Sequence, residues 1–250
     1  MLHETALLWL RATRRALAGS LVASALVAQS ARAPAQPRVD DLPLVEVRAS
    51  THSGTLAVFL SGDGGWADID KRVGEVLAQH GIDVIGFDDR AYLRGNPRTP
   101  DATGADVARA ATAYLSRWND QRLVLLGYSR GADLLPFVAT RLPPALRARL
   151  ALVAMLAVQE RASFRYRFSD LWATHSRSSD IPIRPELERL RGANMLCVYG
   201  RDEEESLCRT VDTTLVHPEV RPGKHHFDGD YRAIASLILA RLDLAPNRRS

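Results

Sequence analysis

Gly127-Tyr128-Ser129-Arg130-Gly131 sets a serine between two glycines. The apolar run Leu123–Leu126 ends there, and the helix-like pattern from Ala132 to Leu142 begins there. A serine hydroxyl becomes a strong nucleophile when a neighbouring base takes its proton. A sharp strand-to-helix turn can present it, and G-x-S-x-G is the pattern of that turn, because glycines on either side make room for it. The base is an imidazole, and a carboxylate must hold its tautomer and stabilise the imidazolium. On this scaffold the chain order is serine, acid, histidine.

The sequence supplies both partners in that order. The apolar run Met195–Tyr199 leads into Gly200-Arg201-Asp202-Glu203-Glu204-Glu205. Glu203, three residues after the glycine, takes the usual acid position, and Asp202 is the alternative. An acidic run also suits the start of a helix, which is a sufficient account of Glu204 and Glu205. The loop Pro222–Asp230 holds His225 and His226 just before a C-terminal helical pattern. None of His3, His52, His80, His175 and His217 is as well placed. The arrangement G-x-H-x-F favours His225, with His226 as competitor. A tetrahedral intermediate needs two N–H donors for its oxyanion. Arg130 can give one through its backbone, and Asp63 or Gly64 the other from the glycine-rich turn Ser61–Trp66. There is no phosphate-loop or dinucleotide motif. Two cysteines and scattered histidines do not read as a metal site, so no metal and no cofactor is expected.

These loops need a frame. Thr55–Leu60, Ile82–Phe87, Leu123–Leu126, Leu150–Val158 and Met195–Tyr199 read as buried strands. Helical spacing covers Asp68–Gln79, Thr103–Trp118, Pro185–Arg191 and Tyr231–Leu242. Asp88–Pro100 reads as a loop, and residues 159–181 break the rhythm. Apolar strands alternating with helices argue for an α/β fold, a mostly parallel sheet with helices on both faces. A single domain over residues 43–245 is expected, preceded by a flexible segment at 34–42.

Residues 1–33 read as a signal peptide. Arg11, Arg14 and Arg15 precede the short apolar stretch Ala16–Ala28, and Ala31-Arg32-Ala33 is a cleavage signal. These arginines and Arg32, opposed by Glu4 alone, supply most of the net charge of +4. The remainder is close to neutral, which sets a general nucleic-acid binder aside. Export would place Cys197 and Cys208 in an oxidising compartment, where they can pair.

SGDGGW (Ser61–Trp66), GYSRGAD (Gly127–Asp133) and HHFDGDY (His225–Tyr231), taken in order, resemble the bacterial virulence protein VirJ/AcvB family. The similarity spans roughly Leu56 to Leu239. It implies an α/β-hydrolase fold, a periplasmic location and a link to virulence and type IV secretion components. It also implies hydrolysis of lysyl-phosphatidylglycerol, an aminoacylated phospholipid, at the membrane surface. Such a substrate gives the spare carboxylates of Asp202–Glu205 lysyl ammonium groups to attract. It gives the Arg- and aromatic-rich stretch Arg161–Trp172 a phosphate or an anionic surface to meet. A general esterase or thioesterase, or a non-catalytic secretion partner on the same scaffold, are the alternatives.

Overall fold

The computed structural model describes residues 37–166 and 179–243. The signal peptide expected over 1–33, residues 34–36 and much of the Arg161–Trp172 stretch lie outside the described residues. A central sheet of seven strands has the order β1-β3-β2-β4-β5-β8-β9. The strands are β1 (Leu44–Val47), β2 (Thr55–Leu60), β3 (Ile82–Phe87), β4 (Arg122–Tyr128), β5 (Leu150–Leu156), β8 (Met195–Gly200) and β9 (His217–Arg221). All neighbours pair in parallel except β1, which runs antiparallel to β3. The short strands β6 (Arg161–Ala162) and β7 (Ile181–Pro182) pair separately.

Side chains of a strand alternate between faces, so a strand covered on both sides is apolar throughout. Every residue of β2 is buried. Val58 and Leu60 join one core, with Val107 and Ala111 of α3 (Pro100–Trp118) and Leu134 and Val138 of α4 (Arg130–Thr140). Ala57 and Phe59 join the other, with Val73 and Leu77 of α1 (Asp68–Gln79) and Ile234 and Ile238 of α7 (Tyr231–Asp243). From β2 the chain forms β3 on one side of it and then β4 on the other. Such a switch opens a crevice at the carboxyl ends of the strands. Both the Ser61 turn and the Ser129 turn begin there.

Several boundaries differ from the expectations. The segment expected as a loop at 88–100 contains the short helix α2 (Asp89–Leu93), because the Asp88 carboxylate caps Ala91 N–H at 2.9 Å. Helix α3 starts at Pro100, where Thr99 caps Ala102 and proline is tolerated in the first turn. The segment expected to be flexible at 34–42 packs where it is described: Val39 and Leu42 are buried in the core. Strands β1 and β9 lie at the two edges of the sheet, partly exposed, and lack the strong apolar signal of the central strands. Among the described residues the other α-helices are α5 (Pro144–Arg147) and α6 (Arg184–Arg189).

Asp70 in α1 is 1% exposed and accepts Ala67 N–H at 3.0 Å. Burial is the main reason its carboxyl is raised from 3.8 to about 7. A raised folded-state value favours the neutral acid. The stability it contributes is therefore complete below about pH 4 and is lost as the pH rises through about 7. Urea unfolding of Asp70→Asn should show a flatter stability profile between those two limits than the parent chain. Parallel profiles would contradict this.

Candidate active site

Ser129 links β4 to α4 with φ 53° and ψ −121°. Two near-contacts force the glycines beside it. A Cβ on Gly127 would lie 2.5 Å from Gly131 O, and one on Gly131 would lie 2.1 Å from Leu60 O. Any side chain at either position would push the turn off the ends of β2 and β4. The Ser129 N–H donates to Leu156 O at 2.8 Å, which ties the turn to β5 as well.

The segments carrying the histidine and the acid are joined to each other by their backbones. Arg201 N–H donates to Arg221 O at 2.7 Å, and Asp202 N–H to Gly223 O at 3.0 Å. Gly200 lets them approach, since a Cβ there would lie 2.3 Å from Lys224 O. Phe227, fully buried, pins the far side of the histidine loop in the core with Tyr128 and Ile234. Cys197 and Cys208 form a disulfide with Cα atoms 5.5 Å apart. It holds a 3-10 turn, Leu207–Arg209, against β8 and closes the loop that carries Glu203.

This framing brings three of the expected residues into one hydrogen-bonded chain. His225 Nε2 lies 2.8 Å from Ser129 Oγ, and His225 Nδ1 lies 2.6 Å from Glu203 Oε1. With Nδ1 donating to the carboxylate, Nε2 is left to accept the serine proton. Ser129 and Glu203 are both buried, whereas the His225 side chain is 29% exposed. The competitors are placed elsewhere. The Asp202 side chain is exposed. His226 Nδ1 lies 2.9 Å from the hydroxyl of Tyr128. Burial, then the neighbouring His225, lowers the His226 pKa, and burial raises that of the Tyr128 phenol. Both are therefore neutral near pH 7, and the phenol O–H can donate to the ring.

The expected oxyanion donors lie beside this chain. A Cβ on Gly62 would come within 3.3 Å of Ser129 Cβ, so the backbone leading to Asp63 and Gly64 passes Ser129 closely. The Arg130 N–H belongs to the first turn of α4, where amides point out of the helix. One interaction was not foreseen in the sequence. The Arg130 guanidinium forms a buried ion pair with the Asp63 carboxylate and donates to Ser163 O at 3.0 Å. It clamps the two candidate donor segments together and fastens them to the start of the irregular stretch. The acid in SGDGGW and the base in GYSRGAD were the available signal, but only proximity shows that they pair. Ser61 supports the same corner: its Oγ accepts Asp89 N–H at 3.0 Å.

Residues 54–245 match the family described as bacterial virulence protein (VirJ). No curated protein matches the chain in sequence. Similar solved structures include the proline iminopeptidase of Mycobacterium smegmatis, at 13% identity and TM-score 0.54, covering 80% of this chain and 93% of that one. The esterase domain of a Rhodothermus marinus protein aligns at 14% identity and TM-score 0.54, covering 79% and 90%. A thioesterase domain from the curacin biosynthetic pathway aligns at 15% identity and TM-score 0.52, covering 79% and 99%. These likenesses establish the α/β-hydrolase fold.

Closing a loop of this length with a disulfide stabilises the chain by about 2–3 kcal/mol, by constraining the unfolded state. Chemical denaturation of a Cys197→Ala/Cys208→Ala variant should register that loss. An unchanged midpoint at unchanged slope would contradict it.

Proposed function

The chain belongs to the bacterial virulence protein (VirJ) family, and on that premise we propose that it is a serine esterase acting through an acyl-enzyme. The observation that carries the proposal is the unbroken chain Ser129–His225–Glu203. Ser129 Oγ attacks the ester carbonyl carbon while its proton passes to His225 Nε2. Glu203 holds the Nδ1 proton and stabilises the imidazolium. Backbone N–H groups of Arg130 and of Asp63 or Gly64 receive the oxyanion. The intermediate collapses, the ester C–O bond breaks, and the Nε2 proton goes to the departing alkoxide. Water then attacks the acyl-serine as its proton passes to His225 Nε2, the bond from Ser129 Oγ to the acyl carbon breaks, the proton goes to Oγ, and the acid is released.

The proposed substrate is the aminoacyl ester of lysyl-phosphatidylglycerol, and the proposed location is the periplasm. The family resemblance supports the first. The signal-peptide pattern of residues 1–33 and the Cys197–Cys208 disulfide support the second. A lysyl ester carries an α-ammonium next to the carbonyl under attack and an ε-ammonium at the end of its four-carbon side chain. Glu204 and Glu205 are exposed and adjoin Glu203, so they can offer negative charge close to the reacting carbon. A role alongside type IV secretion components belongs to the same family-based reading.

The acid assignment separates neighbours. Glu203→Gln should lower kcat by about 10⁴-fold, as loss of the tautomer-fixing carboxylate does. Asp202→Asn should stay within about tenfold of the parent, because only its backbone joins the site. Steady-state kinetics on an activated ester would check this, and the reverse order of losses would move the role to Asp202.

The substrate assignment is tested with lysyl-, alanyl- and unmodified phosphatidylglycerol, with Ser129→Ala as control. Release of lysine from the lysyl lipid by the parent chain alone is expected. Glu204→Gln/Glu205→Gln should raise KM for the lysyl lipid more than for the alanyl lipid. Equal effects on the two would remove the charge-recognition idea, and turnover of neutral esters alone would leave a general esterase.

A further inference from the structure

The N-terminal ends of the parallel strands, opposite Ser129, hold a second group of side chains. His52 lies on the loop before β2, Asp83 is the second residue of β3, and Asp120 precedes β4. His52 Nδ1 lies 3.6 Å from Asp83 Oδ2 and 3.7 Å from Asp120 Oδ1. One ligand atom from each of the three falls within 4.8 Å of the others. Asp83 and Asp120 are buried, while the His52 side chain is 46% exposed and gives the group an opening to solvent.

Asp120 distinguishes this group from a chance acidic cluster. It is 0% exposed, and neither of its carboxylate oxygens has a hydrogen-bond partner. Leaving such a group unmatched is costly, so a buried carboxylate ordinarily has a donor or a cation. Its backbone explains how it came to be buried. Asn119 ends α3 in the left-handed conformation at φ 59°, and Asp120 N–H folds back to Leu115 O at 2.9 Å. Asp83 is better satisfied: Oδ1 accepts Ala49 N–H at 2.9 Å, and Oδ2 accepts from Arg48 at 3.1 Å. Arg48, stacked 4.6 Å from the Trp118 ring centroid, pairs with Asp83 from the solvent side.

We propose that His52, Asp83 and Asp120 form a structural site for a first-row divalent cation of the Zn²⁺ type. The donor set is one imidazole nitrogen and two carboxylate oxygens, which suits Zn²⁺ better than Ca²⁺ or Mg²⁺, cations that favour all-oxygen sites. Zn²⁺ binds such ligands at about 2.0–2.2 Å in a tetrahedron, whose edges are then about 3.3–3.6 Å. The His52–Asp83 and His52–Asp120 separations are close to that spacing. The cation would join the loop before β2 to β3 and to the turn between α3 and β4. Backbone bonds already fasten that loop to both, Ser53 N–H to Gly81 O and Gln121 N–H to Gly54 O, each at 2.9 Å. No metal is legible in the sequence because the three residues have no motif spacing; only the parallel register puts them together.

The test is thermal unfolding of the chelator-treated full chain, titrated with ZnCl₂ alone. A saturating cation should raise Tm by about 5 °C. His52→Ala, a half-exposed position where folding is not at risk, and the near-isosteric Asp120→Asn should each abolish the rise. Ester hydrolysis by His52→Ala should stay at the parent level, because the site is at the other end of the sheet from Ser129. No rise in the parent with Zn²⁺, or a rise of equal size in both variants, would overturn the proposal.

Discussion

Ser129 sits at φ 53° and ψ −121°, a conformation that costs a residue with a side chain about 1–3 kcal/mol. The surrounding structure must hold it there. It does so by contact distances that admit only hydrogen: Gly131 against the carbonyls of Leu60 and Ser61, and Gly127 against Gly131. Those contacts bring the ends of β2 and β4 and the start of α4 into one rigid corner. The serine oxygen then projects from the crevice, and the backbone of the Ser61 turn lies beside it. If the corner relaxed, the hydroxyl and the candidate oxyanion donors would lose their register together.

The other half of the site is held by different means. The histidine and acid lie after β9 and β8, at the far side of the sheet. Their backbones bond to each other before their side chains do, and the disulfide ties the acid loop to β8. The Arg130–Asp63 ion pair works on the near side, joining the turn after β2 to the helix after Ser129. Arg130 is buried and Asp63 partly so, and removing Asp63 would take an ion-pair partner from the guanidinium beside Ser129.

Much of this was legible in the sequence because the central strands are covered on both faces and the helices on one. Asp68–Gln79 is bounded in the structure just as its apolar spacing indicated. The G-x-S-x-G turn between strand and helix was readable from local pattern, as were the loops that bring Glu203 and His225 beside Ser129. Edge strands β1 and β9 were not, because partly exposed strands carry a weaker apolar signal. Helix α2 depended on the Asp88 cap, which reads equally well as a turn. Pairings between distant charges, Asp63 with Arg130 and His52 with Asp83 and Asp120, have no local signature. They exist only once parallel register aligns the strand ends.

The central claim is that Ser129 is a nucleophile activated by His225 and Glu203. Mass spectrometry of the folded chain after exposure to a fluorophosphonate tests it most directly. The account predicts one adduct, located on Ser129, absent in Ser129→Ala and formed far more slowly in Glu203→Gln. A folded parent chain that takes no label, or one labelled elsewhere at the same rate, would contradict it.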